Sequence, residues 1–194
     1  MVTQVLPSTL TAAEADALIV GVYAKPHRLD RHADEVDRAL GGLISRLLER
    51  GDVSGKVGEV TPLFPEHGVA SPRILLLGLG DPGDLSGERV RKAMGEAARR
   101  ARELGAAHLA CAPLGVAGSA LTTALATQAS VEGARLGLYR YNPQGATNVS
   151  PLGGGDHGVN TLSILLDSND DIESARDAVR WGEANAAGVE LARN

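Results

Sequence analysis

The side chains with chemistry to offer in this chain are five histidines, one cysteine and a few acidic clusters. His27, His32, His67, His108 and His157 are dispersed, and none stands in an H-E-x-x-H or other zinc-ligand spacing. His27 and His32 lie close in sequence, but Pro26 and the turn composition around it leave their relative geometry open. Asp156-His157 could supply two metal ligands or an acid–base pair, although the glycine run before it would hold such a pair loosely. Asp167, Asp170 and Asp171 resemble a hard-cation cluster, yet an acidic first turn at the positive end of a helix explains them better. Cys111 falls in a strand-like apolar run and reads as a small core residue. A lone cysteine makes no internal disulfide.

Three glycine-containing segments imitate phosphate or nucleophile loops. Gly78-Leu79-Gly80-Asp81-Pro82-Gly83 has the G-x-G-x-x-G spacing and follows an apolar run. A working dinucleotide loop needs its third glycine inside the helix, an open helix N-terminus for the pyrophosphate, and an acid about 20 residues later at the end of the next strand. Here Asp81 and Pro82 interrupt the turn, Asp81 and Asp84 would repel phosphate, and no acid ends the next strand. The segment 51–57, Gly-Asp-Val-Ser-Gly-Lys-Val, is one residue short of a P-loop and lacks the magnesium-binding hydroxyl, which makes it a turn. Gly115-Val116-Ala117-Gly118-Ser119 does not satisfy G-x-S-x-G, so Ser119 is expected to cap a helix rather than attack a substrate. An anion-binding nest of the loop's amides at that helix start is the alternative. No catalytic constellation emerges from the residues themselves.

The elements that would position these groups alternate between strand and helix patterns. Residues 17–23, 74–77 and 162–166 are continuous apolar runs of strand length, with 109–112 a weaker fourth. Runs without polar alternation predict strands covered on both faces. A further strand is expected over 57–64, ended by Pro65. Over 34–50, Val36, Leu40, Leu43, Ile44, Leu47 and Leu48 form one helical stripe, with Gly51 placed to end it in a left-handed turn. Ser86 should cap a helix over 87–104 ended by Gly105, with Val90, Ala93, Ala97, Ala101 and Leu104 facing inward. Helices over 119–139 and 170–192 complete the order β-α-β-β-α-β-α-β-α, an α/β fold with a mixed or mostly parallel sheet. The segment 142–158 has linker composition and is expected to be a flexible loop.

At 194 residues, with 43% hydrophobic and 22% charged residues, the chain fits one globular domain that needs no staples. Its net charge of −5 and 3% aromatic content disfavour nucleic-acid or anionic-membrane surfaces and base-stacking platforms. Met1 to Pro7 lacks a leader pattern and no apolar run reaches membrane-spanning length, so a cytoplasmic location is expected. Glycine is 24 of 194, well above the usual ~7%, which points to many tight connections.

Five segments in order resemble one family. They are Ala-Asp-Ala-Leu-Ile-Val-Gly-Val-Tyr at 15–23, Gly-Asp-Val-Ser-Gly-Lys-Val-Gly-Glu at 51–59 and Arg-Ile-Leu-Leu-Leu-Gly-Leu-Gly at 73–80. Two more are Val-Glu-Gly-Ala-Arg-Leu-Gly-Leu-Tyr-Arg-Tyr at 131–141 and Gly-Val-Glu-Leu-Ala-Arg-Asn at 188–194. Together they are similar to the N-terminal domain of leucine (cytosol) aminopeptidases, over nearly the whole chain.

The resemblance implies a three-layer α/β/α, macro-like domain over 1–194, with helix 170–194 leading toward a catalytic domain that is absent from this sequence. It implies as partners that catalytic domain and further copies of the chain, a hexamer in the full-length family. The full-length protein would remove amino-terminal residues from peptides with two divalent metal ions, zinc or manganese. In that family the metal ligands, catalytic lysine and catalytic arginine belong to the C-terminal domain. Neither its N-T-D-A-E-G-R signature nor its G-K-G segment occurs here. No catalytic, cofactor or metal residue is therefore carried onto this chain, which is expected to be an inactive fragment of a longer enzyme or a naturally short relative. A macro-like fold also raises ADP-ribose or nucleotide binding, or a protein-interaction role. True ADP-ribose binders carry an asparagine after the early strand, and 19–25 has none, while Gly115–Gly118 only superficially resembles their phosphate loop. DNA binding, which some relatives perform partly through this domain, is disfavoured by the acidic balance.

Overall fold

The computed structural model describes residues 1–24, 29–139, 158–167 and 172–193. Six strands form one sheet: β1 (Val2–Pro7), β2 (Ala17–Tyr23), β3 (Val60–Leu63), β4 (Ile74–Gly80), β5 (His108–Cys111) and β6 (Thr161–Leu166). The helices are α1 (Arg31–Ala39), α2 (Leu43–Arg50), α3 (Gly87–Glu103), α4 (Thr123–Leu138) and α5 (Ile172–Arg193). The sheet order is β1-β6-β5-β2-β4-β3, parallel except for the antiparallel edge strand β3.

The apolar strands are sandwiched as their composition requires. All seven residues of β2 and of β4 are buried. Alternate residues serve opposite cores. Ala17, Ile19, Leu75 and Leu77 pack with α3 and α4 side chains such as Val90, Met94 and Val131. Leu18, Val20, Ile74 and Leu76 pack with Val36, Ile44 and Leu48 of α1 and α2. The molecule is thus a three-layer α/β/α sandwich with a mixed, mostly parallel sheet.

Four expectations change in detail. The stripe over 34–50 is two helices rather than one, because Gly41 and Gly42 both adopt positive φ (64° and 80°) between them. The Asp37 carboxylate, buried at the break, accepts the amides of Ile44 (2.7 Å) and Ser45 (3.2 Å) at the start of α2. The stripe survives the break: Val36, Leu40, Ile44 and Leu48 all stay buried. The strand expected over 57–64 shortens to β3, an edge position that tolerates Pro62. Helix α4 begins at Thr123, capped by Thr122, whose side chain accepts the Leu125 amide. Ser119 instead closes the preceding turn, donating to the Gly115 carbonyl at 2.6 Å and accepting from the Leu121 amide at 3.1 Å. Finally, β1 is an additional strand, pairing in parallel with β6 from Val2↔Thr161 to Pro7↔Leu166. Its half-exposed, edge character hides it from a search for continuous apolar runs.

Other punctuation stands as the sequence indicates. Ser86 caps α3 by accepting the Arg89 amide, and Gly51 and Gly105 end their helices at positive φ. Among the described residues no helix is long and apolar enough to cross a membrane. The loop 142–158 lies outside the described residues except for Gly158.

Candidate functional site

In an open parallel sheet, ligands favour the crevice beyond the strands' carboxyl ends, where successive connections leave in opposite directions. Here that point lies between β2 and β5. The chain leaving β2 goes on to β3 and β4, whereas the chain leaving β5 goes to β6 on the opposite side. A cavity of about 230 Å³ at this end is lined by Arg31, His32, Val116, Ala117, Leu166 and Asp167, among others.

Its floor is set by α1. Asp30 caps this helix, accepting the Ala33 amide at 2.9 Å, and is buried. Burial raises its carboxyl pKa, opposed by the amides of Ala33 and His32 and by the His32 side chain. The helical spacing then places His32 and Glu35 on one face. Thr11 donates its hydroxyl to Glu35 Oε1 at 3.0 Å. Asp167, immediately after β6, ion-pairs with Arg31 and lies 3.8 Å from His32 Nδ1.

The opposite wall is the loop after β5. Gly115 and Gly118 stand at positive φ, and the Tyr23 hydroxyl lies 3.1 Å from the Gly115 carbonyl and 2.8 Å from that of Ala117. Burial, with a contribution from Asp30, pushes the Tyr23 pKa up to about 12. Tyr23 is therefore a neutral donor that holds this loop, with Ser119 bracing it from the other side.

The two other glycine imitations explain one another. A Cβ on Gly78 would lie 1.9 Å from the Lys56 carbonyl, so the strand must have glycine where the 51–58 turn crosses it. The crossing is stitched by Gly58 N–H to Gly78 O at 3.0 Å, Gly78 N–H to Glu59 O at 2.8 Å and Gly80 N–H to Gly55 O at 2.9 Å. Asp81 accepts the Gly83 amide at 2.8 Å, taking with its own carboxylate the place a phosphate would need. Both segments are packing devices.

The remaining candidates disperse. Cys111 is fully buried, and burial pushes its thiol pKa up to about 12, the opposite of an activated nucleophile. His108 pairs with Ser163 Oγ at 2.7 Å, and its amide, with that of Ala107, binds Asp16 Oδ2. His67 sits in an exposed turn. His27, Asp156, His157, Asp170 and Asp171 lie outside the described residues. The larger groove, about 860 Å³ across α3 and α4, is lined by charges already matched on α3, such as Arg91 and Lys92 with Glu88. Its carboxylates and cations are spent on ion pairs along the helix, Glu96 with Arg99 included.

Among the described residues, one group of three potential metal ligands converges, namely His32, Glu35 and Asp167. Sequence spacing alone could not show this, because Asp167 reaches α1 only through the placement of β6. The sequence marks only that Asp167 follows an apolar strand; which strand end faces α1 is set by the sheet order. The trio contains no lysine and offers three donors. It does not fit the two-metal, lysine-containing centre that the family resemblance implies.

Comparison with known proteins agrees with the fold and extends it. The family model for the N-terminal domain of the cytosol aminopeptidase family matches residues 19–143. A probable cytosol aminopeptidase of Stenotrophomonas maltophilia is 38% identical over 183 residues, which is 94% of this chain and 35% of that protein. The chain thus spans about a third of the length of such relatives. Among solved structures, a tomato leucine aminopeptidase mutant superposes with a TM-score of 0.70 at 22% identity, covering 96% of this chain and 36% of that one. The macrodomain of Mycobacterium tuberculosis DarG superposes at 0.62 and 15% identity, covering 84% of this chain and 96% of that one. These structural likenesses show the fold, which is macro-like. The family match over most of the chain, on the strands and helices that build this sandwich, shows that the chain belongs to the cytosol aminopeptidase family, as its N-terminal domain.

Proposed function

We propose that this chain serves as the accessory domain of a cytoplasmic leucyl-type metallo-aminopeptidase, supporting assembly and flanking an active site carried by a neighbouring catalytic domain. The observation that carries this reading is the lopsided match: 94% of this chain aligns with 35% of its relative. The peptidase chemistry, the removal of amino-terminal residues with two divalent ions, zinc or manganese, then belongs to the remaining two thirds of such proteins. Assembly into a hexamer would bring further copies of the same domain alongside. This chain's own part is structural, because its buried groups are spent on the fold: Asp37 on the start of α2, Tyr23 on the loop after β5, and Glu132 on Gln128 and Asn185 (2.9 and 2.8 Å) between α4 and α5. The carboxyl-end cavity is a poor match for a nucleotide diphosphate. The Asp167 carboxylate lines it and Asp30 adds a buried carboxyl below, so two acidic groups face the place a diphosphate would take.

The test is peptidase turnover. Purified chain 1–194 given leucyl-p-nitroanilide with Mn²⁺ or Zn²⁺ should release no nitroaniline above the metal-only rate. Metal-dependent release that scales with protein concentration and is blocked by a chelator would overturn the reading.

A further inference from the structure

We propose that His32, Glu35 and Asp167 form a binding site for a single divalent transition-metal ion at the carboxyl end of the sheet. The donor atoms of the three side chains all lie within 4.8 Å of one another. Two elements far apart in sequence supply them: the first two turns of α1 give the imidazole and one carboxylate, and the residue after β6 gives the other. A purely acidic cluster at a helix start would be an ordinary solvated face. This set differs in having a nitrogen donor, and one imidazole with two carboxylates suits zinc, manganese or a similar borderline ion better than calcium.

The surroundings are those of a ligand set under orientation. Thr11 binds one oxygen of Glu35 at 3.0 Å, which fixes the carboxylate and leaves its second oxygen for the ion. His32 is held at the first turn of α1 by the helix cap that Asp30 makes. The cavity of about 230 Å³ beside His32 and Asp167 leaves room for water or an exogenous ligand in the remaining coordination positions.

Bound metal requires the donors to draw in, since ligands at roughly 2.0–2.2 Å from an ion stand closer together than 4.8 Å. The side chains keep some freedom, all three being partly buried, with those of His32 and Asp167 23% and 18% exposed. Among the described residues the competitor is the Arg31 guanidinium, which ion-pairs with the same Asp167 oxygen that lies 3.8 Å from His32. At 71% exposure, the Arg31 side chain is free to swing into solvent when a dication takes its place. Arginine thus acts as a stand-in cation for the metal.

Zn²⁺ titrated into the chain in competition with a chromophoric chelator tests this, with Co²⁺ absorption as a second readout of a nitrogen–oxygen ligand field. One equivalent is expected to bind. His32→Ala and Asp167→Asn should each weaken binding by about tenfold or more, as loss of a ligand requires. Arg31→Ala should tighten it severalfold by removing the competing charge, an effect that no adventitious histidine contact would show. His67→Ala should leave it unchanged. Circular dichroism of each variant checks folding, which these exposed and half-buried positions are expected to preserve. Sub-stoichiometric or multiple weak binding, or binding equal in wild type and His32→Ala, overturns the proposal. Either result is independent of peptidase turnover, so this inference and the accessory-domain reading fail separately.

Discussion

Replacing Gly133 with alanine would drive a methyl group into the backbone of the neighbouring helix. At the α3–α4 crossing a Cβ on Gly133 would stand 2.3 Å from the Arg91 carbonyl oxygen and 3.0 Å from Met94 Cβ, where ordinary contact begins near 3.4 Å. Two effects oppose each other. Alanine is the better helix former by about 1 kcal/mol. Overpacking a tight interior typically costs about 1–3 kcal/mol, and here the obstacle is a hydrogen-bonded main chain that cannot rotate away as a side chain would. An immovable backbone obstacle puts the cost at the top of that range, about 3 kcal/mol, so the clash should win and leave Gly133→Ala destabilised by about 2 kcal/mol net, or about 4–8 °C in Tm for a domain of this size. Gly188 on α5 is the internal control, since a Cβ there meets nothing within 4 Å. With only the propensity term acting, Gly188→Ala should gain about 0.5–1 kcal/mol. Urea unfolding of the three proteins with shared m-values measures both changes. If Gly133→Ala is as stable as wild type, the close crossing of α3 and α4 is wrong.

Two further outcomes are expected. Asp16 has its carboxyl held below the usual 3.8, first by the amide of His108, then by that of Ala107 and by Arg73, against the opposing effect of burial. A depressed folded pKa gives stability that is complete above the unfolded value of 3.8 and is lost as pH falls through the lower folded value. Asp16→Asn should therefore be less stable than wild type by about 1 kcal/mol at pH 6, the difference between charged and neutral acceptor bonds, and the gap should narrow as pH falls below the unfolded value of 3.8. Urea midpoints that stay equally separated from pH 6 to 2.5 would refute the assignment. Cys111, with its thiol pushed up to about 12 and no exposed surface, should not react with Ellman's reagent at pH 8 until denaturant is added. A full equivalent of thiol released within minutes from the native protein would place it elsewhere.

What could be read from the sequence depended on how local the signal was. The runs 17–23, 74–77 and 162–166 announce sheet strands because both of their faces are buried, and a doubly covered strand has no polar half to disguise it. Ser86 and Gly105 bracket α3 because capping is a contact between near neighbours. The break at Gly41-Gly42 was masked by success elsewhere: Val36, Leu40, Ile44 and Leu48 keep one apolar stripe across it, so periodicity registers no interruption. Strand β1 escaped because an edge strand buries little and Val2-Thr3-Gln4-Val5 carries mixed polarity. The Gly78 motif could be set aside on its neighbours Asp81 and Pro82. The reason it has glycine, the crossing of Lys56, required the fold. For the same reason the meeting of Asp167 with His32 and Glu35 was out of reach, since it follows from where β6 sits in the sheet rather than from any spacing along the chain.

The pairing of β1 with β6 sets a clock on biosynthesis. Val2 has Thr161 as its partner, so a strand made early in this domain is completed by one made about 160 residues later. At about 5–20 residues per second, roughly 8–30 s separate the synthesis of the two. Until β6 is made, β5 has no neighbour on its outer side and residues 2–7 remain an unmatched ribbon. The polar Thr3 and Gln4 and the terminal Pro7 in that ribbon make it a poor template for pairing with other chains. The Gln4 side chain then finds Ser163 at 2.9 Å when the sheet closes. The features that make β1 hard to see in the sequence are thus the ones that let it wait.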